Sequence, residues 1–331
     1  MLQINHTETG TEIFNANPLT MVQTGYGNVD YAPSKIMVGG DVLHPPKVIS
    51  WSEENKEGGC PNVTKSFADG QASLNFEGTL DAPVKVWFLF DKYVRTSYQI
   101  QVLLPESDDW VQISASIDDK ENLFNFVSMN YNSEADEEIY GLGLQYSVWN
   151  FKGRKVPIFS AEGGIGRGLQ PLTWIVDLIN NLGGNTLSSY APSYSHITSK
   201  DRAFIFNTTA LGYLDFSYPD GKTRAVFWHS KSVDLQLTYG ANPKNLSSAI
   251  SRKVGTMRPL PEWTFNGAVV GLQGGEGVIK ERYAYLKNHS VPMAALWMQD
   301  WVGLESFREG DRLLWNWQLN EQYYPNWGSM V

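Results

Sequence analysis

The sequence predicts a mixed fold: an N-terminal antiparallel β-sandwich, followed by the first strand–helix–strand of an incomplete (β/α)8 barrel. Three observations carry this reading. Short runs of alternating apolar and polar residues recur up to residue 241; apolar residues then repeat at four-residue spacing after Asn242; and two unbroken apolar runs flank a helical stretch beyond residue 266. The organisation expected is a sandwich over 1–241, a linker helix and connection over 242–265, and the start of a barrel over 266–331.

Residues 1–70 are rich in Gly, Asn and Pro and show only weak periodicity. From Ala72 the pattern sharpens. Ser73–Phe76, Val84–Phe90, Tyr98–Leu103 and Val111–Ala115 alternate with period two, and the same texture returns in Arg202–Phe216, Arg224–Trp228 and Ser232–Thr238. Such runs, bounded by Asp, Gly and Pro, are the mark of half-buried antiparallel strands. Many short strands with frequent turns suggest a sandwich.

Asn242-Pro243 supplies a helix cap and a first-turn proline, after which Leu246, Ile250 and Val254 line one helical face. Pro259-Leu260-Pro261 ends that segment. Gly267–Leu272 and Met293–Met298 then read as strands buried on both faces, joined by a helix over Val278–Asn288. Strands joined this way lie parallel with a right-handed crossover. A complete barrel needs about 250 residues, so residues 266–331 are expected to be only its opening.

Composition excludes several classes. Apolar residues make up 42% and charged residues 18%, which describes a folded chain and not a disordered one. A net charge of −9 without a basic cluster argues against nucleic acid and anionic membranes as partners. The single cysteine, Cys60, allows neither an internal disulfide nor a cysteine metal cluster. No apolar run approaches the roughly 20 residues of a membrane helix. Met1–His6 lacks the order of a signal peptide, which favours a cytoplasmic protein, whereas five sequons (Asn5, Asn62, Asn207, Asn245, Asn288) suit a secreted one. The compartment is left open.

Gly271-Leu272-Gln273-Gly274-Gly275-Glu276-Gly277 stands between a strand and a helix, as phosphate loops do, but it fits neither GxxxxGK[ST] nor GxGxxG. Glu276 would repel a phosphate from the helix start. There is no GxSxG or HExxH, and the five histidines are scattered, so no metal and no cofactor are expected.

The stretch Trp297–Gly303 with Arg312–Trp317 is the informative one. Gln299 and Asp300 directly follow an apolar run, at the carboxyl end of a strand where α/β barrels place their chemistry. Amide and carboxylate groups there bind sugar hydroxyls, and Trp faces pack on pyranose C–H groups. Five tryptophans lie between Trp297 and Trp327. They serve equally as core packing or as a carbohydrate cleft. Arg312 and Trp315 together can hold an anionic oxygen cluster; Arg312 can equally pair with Asp311 or Glu309.

Ile139-Tyr140-Gly141-Leu142-Gly143, Gly153–Pro157 and Glu162 with Gly164–Arg167 resemble the sandwich of glycoside hydrolase family 31. Leu260–Trp263, Gly271–Gly275, Gln299–Trp301 and Arg312–Trp317 resemble its sulfoquinovosidase branch. The resemblance implies a galactose-mutarotase-like sandwich, a (β/α)8 barrel, and retaining hydrolysis of α-glycosides by an aspartate nucleophile and an aspartic acid/base about 5–5.5 Å apart. It implies that Arg312 and Trp315 bind the sulfonate of a sulfonated sugar and Gln299 a hydroxyl, with Asp300 and Trp301 beside them. It also implies that both catalytic aspartates belong to later strands, so that no catalytic residue is expected in this chain and it should be inactive alone. The sequence departs from the family pattern at Leu144, Gly163 and Asn266. Two alternatives stay open: a non-catalytic carbohydrate-binding or regulatory protein, and a fragment of a neutral-sugar α-glucosidase. No oligomeric state is implied.

Overall fold

A computed structural model describes residues 1–6, 9–30, 47–52, 61–68, 70–86, 90–105, 110–160, 165–167, 169–180, 186–187, 189–307, 310–313 and 315–330. Cys60, Glu162, Gly163, Gly164 and Glu309, named above, lie outside the described residues, as do Trp87–Leu89 of one expected strand. The chain divides into two compact units, with the boundary after Gly255.

The first unit is a two-sheet sandwich. Its larger sheet runs, in spatial order, Ile139–Gly143, Pro192–Thr198, Arg202–Phe206, Ser232–Tyr239, Val111–Asp118, Phe90–Pro105, Gln71–Val86 and Asn62–Ala68. The smaller runs Lys155–Ile158, Gly212–Asp215, Lys222–Trp228, Phe126–Asn132, Val22–Asp30 and Lys47–Ser52. Neighbours in both are antiparallel.

Alternation explains how the larger sheet takes its place. In Val111–Asp118 the residues Val111, Ile113, Ala115 and Ile117 are buried, while Gln112, Ser114 and Ser116 are only half-buried. Ile100, Val102, Leu235 and Leu237 join the buried set in one core with Val127, Met129, Ala225 and Phe227 of the smaller sheet. Each such side chain, taken from water, stabilises the fold by roughly 1.5–3 kcal/mol. The smaller sheet is less one-sided than period two predicts. Val226 and Trp228 are buried on its other face with Phe126 and Tyr213, so Thr223–Trp228 is buried throughout.

The weakly periodic N-terminal residues are more ordered than their sequence suggests. Leu2–Asn5 and Glu12–Ala16 pair as a hairpin, and Val22–Asp30 joins Phe126–Asn132 in the smaller sheet. Phe14 and Met21 are buried there. The helix Pro243–Val254 opens as its sequence predicts, with Asn242 Oδ1 accepting from the Asn245 amide at 3.0 Å. Leu246 packs with Trp110 and Ala203, while Val254 is exposed.

In the second unit, Ala268–Leu272 and Met293–Met298 are parallel neighbours joined by the helix Gly275–Asn288. They were expected to be buried on both faces. Instead their residues are exposed or half-buried, Val269 and Trp297 markedly so. A parallel pair needs layers on both faces to be buried, and among the described residues of this unit one long helix accompanies it. A short hairpin, Leu304–Phe307 with Gly310–Leu313, follows. No described helix is long and apolar enough to cross a membrane.

Candidate functional site

The residues picked out by sequence all fall in the second unit, and Gln299, Asp300 and Trp301 stand at the carboxyl end of one of its two parallel strands. Gln299, Asp300 and Trp301 form a tight helical turn directly after Met293–Met298. Gln273, Gly274 and Gly275 follow Ala268–Leu272, and the two turns meet. Gln273 Nε2 donates to Gln299 Oε1 at 2.8 Å, and this amide pair is exposed. Sequence reasoning did not single out Gln273; its place after the neighbouring parallel strand was the available signal.

Asp300 departs from expectation. It has no solvent exposure, and both carboxylate oxygens are taken up inside the unit. Oδ2 accepts from the amides of Gly274 at 2.7 Å and Gly275 at 3.2 Å, and Oδ1 accepts from the Tyr324 hydroxyl. The cause is local geometry. Gly274 and Gly275 have φ of 118° and 78°, values glycine adopts freely, and they aim successive N–H groups at one point at the start of a helix. A carboxylate is drawn to that point by the orphan amides and the helix dipole. The glycine-rich turn thus does hold an anion, and the anion is the chain's own. Burial and the bond to Asp300 push the Tyr324 hydroxyl pKa well above its ordinary value.

Glu276, on the first turn of that helix, also has its carboxylate occupied. It accepts from Lys280, from the Asn326 amide at 2.9 Å and from Asn326 Nδ2 at 3.0 Å. Lys280 first, then Asn326, hold its pKa down to about 2.

The tryptophans form a chain of rings. Trp301 lies 6.3 Å from both Trp317 and Trp327, and Trp317 lies 6.4 Å from Trp315. Trp315 and Trp317 are exposed, and their backbones sit at φ of 48° and 57°. A bulky residue in the left-handed region costs of order 1–3 kcal/mol, and such residues concentrate at ligand clamps. Arg312 is half-buried on the hairpin and lies opposite Glu305 across it. Asp311, one suggested partner for Arg312, accepts from Ser306 Oγ at 2.5 Å. The unit therefore carries an exposed amide pair, a half-buried guanidinium and exposed indole faces. Among the described residues, no three His, Cys, Asp or Glu side chains gather to hold a metal ion.

The fold matches that of a known protein, and the sequence has known relatives. A solved GH31 family sulfoquinovosidase from E. rectale, in complex with an aza-sugar inhibitor, superposes over 99% of this chain with a TM-score of 0.74 and 20% identity. The mostly β-sheet fold matches the N-terminal β-sandwich of such a protein. In sequence, the chain is 28% identical over 209 residues to a sulfoquinovosidase of Escherichia coli (strain K12). It is 29% identical over 195 residues to one of Agrobacterium fabrum (strain C58). These matches cover 62% and 59% of this chain. The chain is thus related to the sulfoquinovosidase type of glycoside hydrolase family 31. It spans 30% and 29% of the length of those relatives and 44% of the solved structure. No family model matches it.

Proposed function

We propose that this chain carries the sugar-recognition part of a retaining α-glycosidase of family 31 that acts on sulfoquinovosides. The strand–helix–strand unit is the opening of its (β/α)8 barrel. The observation that carries the reading is that Arg312 is followed, three and five residues on, by two exposed tryptophans, Trp315 and Trp317, both with left-handed backbones. A guanidinium presents a planar fork to sulfonate oxygens, and an indole N–H adds a further donor. Gln299 offers its side-chain amide to a sugar hydroxyl while it is held by a hydrogen bond to the Gln273 amide. Trp301 supports the ring chain behind them. Asp300, Glu276 and Asp311 are engaged internally and are not assigned as nucleophile or acid/base.

Calorimetric titration with methyl α-sulfoquinovoside and methyl α-glucoside tests this. The sulfonated ligand is expected to bind more tightly, and Arg312→Ala should cost it at least ~2 kcal/mol because a charged group is left unmatched. Equal affinity for both ligands, unaffected by that change, would move the reading to a neutral-sugar protein. A chromogenic α-sulfoquinovoside should not be cleaved by this chain alone; steady turnover would overturn the assignment of its carboxylates.

A further inference from the structure

We infer that Asp300 is a positioning residue: a buried carboxylate that clamps the ends of the two parallel strands together and so holds the Gln273 and Gln299 side chains within hydrogen-bonding reach of each other. The inference rests on the proposed sugar-binding role of Gln299 but concerns a residue that touches no ligand.

Asp300 follows Gln299 directly, and the amides it holds belong to Gly274 and Gly275, which directly follow Gln273. The clamp and the exposed amide pair are therefore the same two turns, seen from inside and outside. The helix Gly275–Asn288 has no side-chain cap of its own, so the carboxylate from the neighbouring strand end serves as its cap. Gly275 is fixed from a second side: a Cβ there would approach the Tyr323 carbonyl oxygen to 3.2 Å, and the Glu276 amide donates to that oxygen at 3.0 Å. Tyr324, next in sequence, is fully buried and closes the other carboxylate oxygen. The Asp300 carboxylate thus ties its own turn to Gly274, Gly275 and Tyr324.

The consequence concerns the spacing of the amide pair. An isolated glutamine side chain samples many rotamers, and holding it in one costs conformational entropy. Here the strand ends are held so that the side-chain amides of Gln273 and Gln299 meet at 2.8 Å. Loss of the clamp lets the two turns part, and each glutamine then reaches a ligand only at that entropic cost.

The experiment uses the full 331-residue chain, isotope-labelled, with methyl α-sulfoquinovoside as probe. In the unaltered protein the Gly274 and Gly275 amides should be shifted by the carboxylate, and the Gln273 and Gln299 side-chain amides should be distinct and slow to exchange. Asp300→Asn should collapse those side-chain signals to free values and weaken the probe about tenfold. Gln299→Ala should then cost far less in the Asp300→Asn background than alone, since an arrangement already lost is not lost twice. Tyr324→Phe removes one of the three bonds and should show the same changes at smaller size, which keeps the test decisive if Asp300→Asn fails to fold. Failure of the probe to bind any version overturns the sugar-site reading, while the side-chain amide signals still decide the clamp. Unchanged Gln273 and Gln299 signals in both variants overturn the clamp, whatever the probe does.

Discussion

Arg202 Nε donates to Glu137 Oε1 at 3.0 Å, joining a strand of the larger sheet to a turn 65 residues away in sequence. Both side chains are almost fully buried, at 5% and 1% exposure. Glu137 also accepts from Ser133 Oγ and from the Glu134 amide. Burial on its own would raise the Glu137 pKa; the Arg202 charge and hydrogen bonds, helped by Thr198 and Ser133, outweigh it and hold the carboxyl below its ordinary value.

Removing one member of this pair leaves the other buried without compensation. Arg202→Met is expected to destabilise the chain by about 3–5 kcal/mol, read as a fall in the urea midpoint. A double change of both residues to apolar ones should cost less than Arg202→Met alone. Equal costs would mean that Glu137 is satisfied by its other partners.

His196 makes stability depend on pH. Its ring is 3% exposed and stacks on Phe204 with centroids 4.8 Å apart. Nδ1 meets the Tyr194 carbonyl at 2.9 Å and must donate, so Nε2 accepts from the Tyr131 hydroxyl at 3.3 Å. Burial, above all, lowers its pKa to about 4, against about 6.5 unfolded. Between those values the unfolded chain binds a proton that the native chain refuses. Stability should therefore fall as pH drops from about 6.5, by up to about 3 kcal/mol at pH 4. Urea titrations at several pH values check this, and His196→Asn should flatten the slope.

Two glycines with similar backbones predict different costs. Gly143 and Gly153 have φ of 80° and 73°. A Cβ on Gly143 would lie 2.1 Å from the Ala191 carbonyl oxygen, at the register shift between two strands, whereas one on Gly153 meets nothing within 4 Å. Gly153→Ala should cost about 1 kcal/mol for the left-handed backbone alone. Gly143→Ala should cost distinctly more, as a lower melting temperature. Similar melting points for the two variants would show that the strand edge yields.

Glu276 should stay ionised far into acid. Its ordinary pKa is about 4.3, and the folded value is about 2. The depressed value means that its bonds to Lys280 and Asn326 are fully present above about pH 4.3 and are lost as pH falls towards 2. Carboxyl carbon NMR should place the Glu276 midpoint well below those of exposed glutamates, and Lys280→Met should raise it. A midpoint near 4 would mean that the Asn326 contacts do not persist in solution.

Much of this was legible in sequence because it is written in local periodicity. Ile113 and Ala115 alternate with Gln112 and Ser114, and that alone assigns their faces. Asn242 and Pro243 announce their helix within four residues. Val22–Asp30 was not legible: its Gly and Asn residues carry little alternation, and its strand is made by the partner Phe126–Asn132.

The candidate site divides along the same line. Gln299 at a strand end, and Arg312 with Trp315 three residues on, can be picked out with their chemistry from the chain alone. Which carboxylates stay available was decided only by tertiary structure. Asp300 reads as an available carboxylate until the fold brings Gly274 and Gly275 against it from another strand end and adds Tyr324 from 24 residues onward. Sequence carries each residue's chemistry; how a buried donor or acceptor is satisfied depends on which distant backbone crosses beside it, and that is settled when the chain packs.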